Sequence, residues 1–343
     1  IQQPFALIKH FQKKDGYDSS GISSSKHYHI SKENTDMLYK QNQSYELDEK
    51  LFKNPTSEYR AAPFWAWNCK LGKNILNEQI DTFKKMGFGG FHMHSRIGMS
   101  TPYLKDEFME LIKFCTQKAK QENMLACLYD EDRWPSGAAG GYVTKTHKYR
   151  QRYLIFSPNI HEHFSLDEAI NNSKEYLLAV FDVVLNEKGE LKSYQTISEN
   201  DTAIGTKWYA YVHTHDESPW HNNQTYVDTL NKEAIDEFIK ITYEAYQSAV
   251  GDEFDKTIPS IFTDEPQCKP KIPLSFADST DDAQLPWSFS LPKGFSEKYG
   301  YDICKHLPEL IWNLPDNKIS TARYHFHDYI CDTFTECFAD NCG

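Results

Sequence analysis

Apolar and polar residues change rhythm three times along the chain. Residues 1–56 are polar and irregular, with serine runs at 19–20 and 23–25 and no sustained period, which predicts an extension or wrapping arm outside the core. From residue 58, short apolar runs alternate with amphipathic stretches. Ala61-Ala62-Pro63-Phe64-Trp65-Ala66-Trp67-Asn68 reads as a strand ending on a polar residue. Leu76, Ile80 and Phe83 then fall at i, i+4 and i+7, a helix that stops near Gly87. Gly89-Gly90-Phe91-His92-Met93-His94 predicts the next strand, and residues 105–123 a helix with Phe108, Leu111, Ile112, Cys115 and Ala119 on one face. Leu125-Ala126-Cys127-Leu128-Tyr129 predicts a third strand, closed by charges and a Trp-Pro-Ser-Gly turn.

Near residue 150 the helical period disappears. Tyr176–Leu185, the turn at Asn186-Glu187-Lys188-Gly189, Leu191–Ile197 and residues 208–213 read as antiparallel strands. Helical texture returns over 231–250, with Gly251 as a stop. Residues 258–263 predict a fourth core strand ending in Asp264-Glu265-Pro266, followed by a Pro-rich loop through Leu285-Pro286-Trp287 and a helix over 322–340.

Strands that alternate with helices imply an α/β fold with a parallel sheet. A (β/α)8 TIM-type barrel places eight strands in about 250 residues. Four are visible here, and Gly343 follows directly on a helix where a fifth strand would be due. The expectation is therefore the first half of such a barrel with an antiparallel β insertion after its third strand. The missing barrel half would come from the rest of the polypeptide or from another chain. The corresponding division is an N-terminal extension (1–56), strands one to three (57–149), the β-rich insertion (150–216), and the fourth strand with its following helices (217–343).

Composition narrows the partners. With 37 Lys plus Arg against 49 Asp plus Glu, the formal charge is −12, and the mean field repels phosphate backbones, so no nucleic-acid partner is expected. No stretch approaches the ~20 apolar residues of a membrane span, and mean hydropathy is −0.67, so no membrane partner is expected either. The eight cysteines form no Cys-x-x-Cys pair, a pattern of reduced packing thiols that points to the cytoplasm and leaves a secreted or periplasmic location open.

In parallel α/β folds the chemistry sits at the C-terminal ends of the strands. Those ends carry Trp65, Trp67 and Asn68; His92, His94, Ser95 and Arg96; Asp130, Glu131, Asp132, Arg133 and Trp134; and Asp264 and Glu265. Indoles stack on sugar faces, while carboxylates and arginines grip hydroxyls. Asp264 and Glu265 are neighbours on a strand, so one at most faces the mouth. A carboxyl there could be a general acid or half of a salt bridge. The charged loop after Tyr129 reads as solvated surface or as a mouth loop whose carboxylates could ligate Ca²⁺, although it lacks the spacing of a dedicated calcium loop. His92 and His94 share a strand face, a spacing open to a metal, to substrate or to plain packing, and no further ligand is evident. His325 and His327 lie two apart on a helix and do not face each other. No dinucleotide fingerprint, nucleophile elbow or P-loop is present.

Taken in order, Pro63-Phe64-Trp65-Ala66-Trp67-Asn68, Gly89-Gly90-Phe91-His92-Met93-His94-Ser95-Arg96, Tyr129-Asp130-Glu131-Asp132-Arg133-Trp134-Pro135-Ser136-Gly137 and Phe262-Thr263-Asp264-Glu265-Pro266 resemble the catalytic module of the α-L-rhamnosidases of glycoside hydrolase family 106. Tyr226-Val227-Asp228-Thr229-Leu230 and Gly300-Tyr301-Asp302-Ile303 fit the same pattern, and the resemblance runs from about 55 to 343. It implies a barrel, inverting hydrolysis of a terminal sugar from a plant or bacterial glycan, a Ca²⁺ near the substrate, and Glu265 as the general acid. It also implies a base on a strand later than residue 343, without which this chain would bind sugar weakly and turn over little. Trp65, Trp67 and Trp134 would line the sugar subsite, and Asn68, His94, Arg96, Asp130, Glu131, Arg133 and Asp264 would bind substrate or cation. Two alternatives stand beside this reading: a non-catalytic carbohydrate-binding or scaffold protein, and a metal-dependent hydrolase using His92 and His94.

Overall fold

The computed structural model describes residues 46–343, so the expected N-terminal extension lies outside the described residues except for its last stretch. That stretch forms helix α1 (Glu49–Lys53), whose first amides are capped by Asp48.

The fold is mixed α/β, with one parallel and one antiparallel sheet. Strands β1 (Phe64–Trp67), β2 (Gly90–Ser95) and β3 (Leu125–Tyr129) run parallel and are joined by helices α2 (Lys73–Lys85) and α3 (Asp106–Gln121). The sheet order of the described residues is β1-β2-β3-β8, where β8 (Ile261–Phe262) follows helix α5 (Lys232–Val250). Strand alternation sorts the residues to two faces. Trp65, Trp67, Phe91, Met93, Ala126 and Leu128 pack on Leu76, Ile80, Phe108, Ile112 and Tyr246 of the helices. Phe64, His92, His94, Tyr129 and Phe262 form an aromatic layer on the other face. Phe64 remains 55% exposed there.

The second sheet is antiparallel in the order β6-β5-β7-β4-β9, made of β4 (Arg152–Ser157), β5 (Tyr176–Leu185), β6 (Leu191–Ile197), β7 (Thr206–Thr214) and β9 (Ala283–Trp287). Helix α4 (Leu166–Asn172) enters through a capping box made by Ser165 and Glu168. One face packs against α6 (Leu291–Tyr299), α7 (Leu307–Ile311) and α8 (Thr321–Phe334) through Phe156, Trp208, Trp287, Phe295, Trp312 and Phe326.

Two sequence expectations need correction. Leu285-Pro286-Trp287 is strand β9 rather than loop. It pairs with β4 at the sheet edge, where a proline without an N–H is tolerated. The fourth parallel strand is two residues long instead of six, with Ile258 in an isolated bridge to Phe254. Buried arginines brace the start of β4: Arg150 reaches Thr144 O, Glu217 and Gln224, while Arg152 donates to the carbonyls of His147, Lys148, Arg150 and Ile170. No helix of the described residues is long and apolar enough to cross a membrane.

Candidate functional site

Three strand ends of the parallel sheet meet at one rim, and Ser136 joins two of them. Its hydroxyl donates to Asp130 Oδ1 at 2.5 Å, lies 3.4 Å from Glu131 Oε2, and accepts the Asp264 N–H at 2.8 Å. The Ser136 N–H returns a bond to the Asp264 carbonyl at 2.9 Å. The loop after β3 is thereby stitched to the loop after β8. The second oxygen of Asp130 accepts from the Tyr243 hydroxyl of α5 at 2.8 Å, and Tyr226 holds the Ser136 carbonyl at 2.6 Å.

His94 arrives from β2. Its ring stacks on Tyr129 at 3.7 Å between centroids and 12° between planes, and the Tyr129 hydroxyl donates to Asp264 Oδ2 at 2.5 Å. His94 Nε2 stands 3.5 Å from Glu131 Oε1, yet this buried nitrogen makes no hydrogen bond. Burial pushes the Glu131 carboxyl up to about 8, with the Asp264 charge adding to it. Burial and then the Arg96 charge hold His94 down to about 4. Near neutral pH the acid and the imidazole therefore face each other uncharged. Asp130 is pushed up to about 7 by burial, although the hydroxyls of Ser136 and Tyr243 favour its ionised form.

Glu265 is exposed at the rim, where its Oε2 accepts the indole N–H of Trp134 at 3.1 Å. Its φ of +44° is left-handed, a conformation that costs a non-glycine residue about 1–3 kcal/mol. Trp134 and Trp220 are both part-exposed, and the Trp220 indole donates to the Trp134 carbonyl at 2.6 Å.

The structure thus gathers His94, Asp130, Glu131 and Asp264, with Trp134 and Glu265 at their edge and exposed Arg96 acting on the cluster through its charge. Asn68 is exposed at the end of β1. Arg133 spends its guanidinium on Asp132 at 3.0 Å. Trp65 and Trp67, expected to line a sugar subsite, are corrected to core residues. At 6% and 1% exposure they face the helices, and Phe64 holds the opposite face. Tyr129, Ser136, Tyr226, Tyr243 and Trp220 are site residues that the sequence reading did not single out. Tyr129 and Ser136 were inside the charged motif, whereas Tyr243 gives no local signal because its reach depends on how α5 docks.

Calcium takes six to eight oxygens. Both Asp130 oxygens accept hydroxyl protons and Asp264 Oδ2 is held by Tyr129, so a cation here would compete with these hydroxyls for the carboxylate oxygens.

No family model matches the sequence, and no curated protein matches it. Among solved structures the fold is similar to that of a rhamnosidase from Novosphingobium sp. PP1Y, with a TM-score of 0.52 and 11% identity over 85% of this chain. The match takes in 45% of that chain, so this protein spans under half the length of the enzyme it resembles. At that identity the likeness bears on the fold.

Proposed function

We propose that this chain forms the acid-bearing half of a glycoside hydrolase site acting on a terminal sugar, α-L-rhamnoside-like in class. The observation that carries the reading is the meeting of His94, Asp130, Glu131 and Asp264 with exposed Glu265 at one rim of a parallel sheet. The sequence resemblance and the rhamnosidase-like fold support the same class.

In this reading Glu265, reachable from solvent and steadied by Trp134, protonates the leaving oxygen. The uncharged His94–Glu131 pair offers one imidazole nitrogen and one carboxyl to sugar hydroxyls, and Arg96 adds a fixed cation at the mouth. Inversion needs a second carboxyl about 6.5–9.5 Å from the first to activate water. We assign it to strands that complete the sheet into a barrel. Both edges of the parallel sheet, β1 and β8, are unpaired among the described residues, and the exposed Phe64 face suits a covering layer.

Glu265→Gln in the complete enzyme is expected to lower turnover by about 10²–10⁴-fold on alkyl rhamnosides. On nitrophenyl rhamnosides, whose leaving group needs little protonation, the loss should be far smaller. Equal, unchanged rates on both would remove Glu265 from the acid role. Saturable sugar binding with no released monosaccharide would move the chain to the class of carbohydrate-binding scaffolds.

A further inference from the structure

Beside the rim, between the loop after β3 and the antiparallel sheet, lies a cavity of about 210 Å³ walled by Trp134, Trp220, Gln151, His221 and Lys269 among others. It adjoins the candidate acid, because Trp134 forms part of its wall and donates to Glu265. Its volume is below the ~300–1,000 Å³ of pockets for drug-sized ligands, a size suited to a single ring. Two part-exposed indoles supply flat apolar faces, which stack on the C–H faces of a pyranose.

The polar lining is one-sided. Acids outnumber bases 49 to 37 in the chain, yet none of the lining residues is Asp or Glu. Gln151 is 6% exposed, and its backbone is bonded to Tyr226 and His215. His221 Nδ1 is buried and unpartnered. Lys269 has no carboxylate in ion-pair range among the described residues, although the Asp216 charge acts on it from further off, and its ammonium lies 4.5 Å from the Tyr153 ring centroid. A buried polar nitrogen without a partner is costly, and an occupant that bonds His221 Nδ1 relieves that cost.

We propose that this cavity is the leaving-group subsite and that it takes a uronic acid ring. The ring stacks on Trp220 and Trp134, and its carboxylate meets Lys269 and the Gln151 amide. The assignment rests on the glycosidase reading and deepens it. The antiparallel sheet becomes the part of the protein that selects what the terminal sugar is attached to.

The test titrates the full chain with D-glucuronic acid and with D-glucose by calorimetry, alongside Lys269→Met and Trp220→Ala variants checked for native circular dichroism. Glucuronate should bind at least about tenfold more tightly than glucose, and Lys269→Met should remove about tenfold of that affinity, the scale of a lost charged hydrogen bond. Trp220→Ala should weaken both sugars together. Equal affinity for the two sugars, or indifference of folded Lys269→Met, overturns the subsite. Glucuronate binding that depends on Lys269 in a complete enzyme that releases no sugar retires the hydrolase and keeps the subsite. Hydrolysis that ignores an acid group on the leaving side retires the subsite and keeps the hydrolase.

Discussion

Glu131 and His94 show how burial, with help from neighbouring charges, sets the charge of a site. An acid whose folded value is raised favours its neutral form, so Glu131 contributes fully below its ordinary 4.5, and that stability is lost as pH rises through about 8. His94 is depressed, so its contribution is present above its ordinary 6.5 and is lost as pH falls through about 4. Glu131→Gln removes the alkaline penalty. Its melting temperature relative to the parent should rise between pH 5 and pH 9, by the equivalent of a few kcal/mol at most. A difference that stays flat with pH would mean that Glu131 titrates as an ordinary carboxyl. Much of this was legible in the sequence, since the charged run directly after a buried strand placed both Asp130 and Glu131 at the mouth. What a strand sequence does not reveal is its phase. Trp65 and Trp67 share one face by parity, but whether helices or the mouth lie on that side depends on packing from α2 and α3.

At the scale of elements, Ser136 is the joint between the β3 and β8 loops. Ser136→Ala withdraws a hydroxyl from Asp130 and an acceptor from the Asp264 amide, leaving buried partners unsatisfied. A loss of about 1–3 kcal/mol is expected in urea unfolding, together with reduced sugar affinity as the Asp264 loop loosens. A variant as stable as the parent with unchanged affinity would show that the loops hold their places without it. The parallel strands and their helices followed from period and glycine stops, and three strands of the second sheet from their apolar runs and the turn between them. Strand β9 did not, because Pro286 punctuates a sequence as a turn residue and becomes compatible with a strand at a sheet edge alone. Strand β8 was overestimated for a related reason. Pro259 and Ser260 interrupt the run 258–263, and the ladder to β3 holds two residue pairs.

Across the whole molecule, Arg150 and Arg152 carry charge into the buried segment that leads into β4. Arg150→Met should cost about 1–3 kcal/mol, read as a lower midpoint in chemical unfolding, since the Thr144 carbonyl and the Gln224 amide lose their donor while exposed Glu217 returns to water. If the sheets unfold as one unit, near-ultraviolet and far-ultraviolet signals should shift together. Separation of the two signals would show that unfolding is not a single two-state step. The sequence placed a change of architecture near residue 150 but gave no hint of this bracing, which joins residues 144–152 to residues 217 and 224 across the fold.

The edges of the two sheets differ in what they invite. On β9, Pro286 interrupts the row of outward N–H groups, and such a gap discourages a foreign chain from extending the ladder. Strand β1 contains no proline within Phe64–Trp67, whereas β8 offers two residues, too short an edge to template a foreign strand. Pairing of a foreign strand is therefore expected along β1 rather than along β8 or β9.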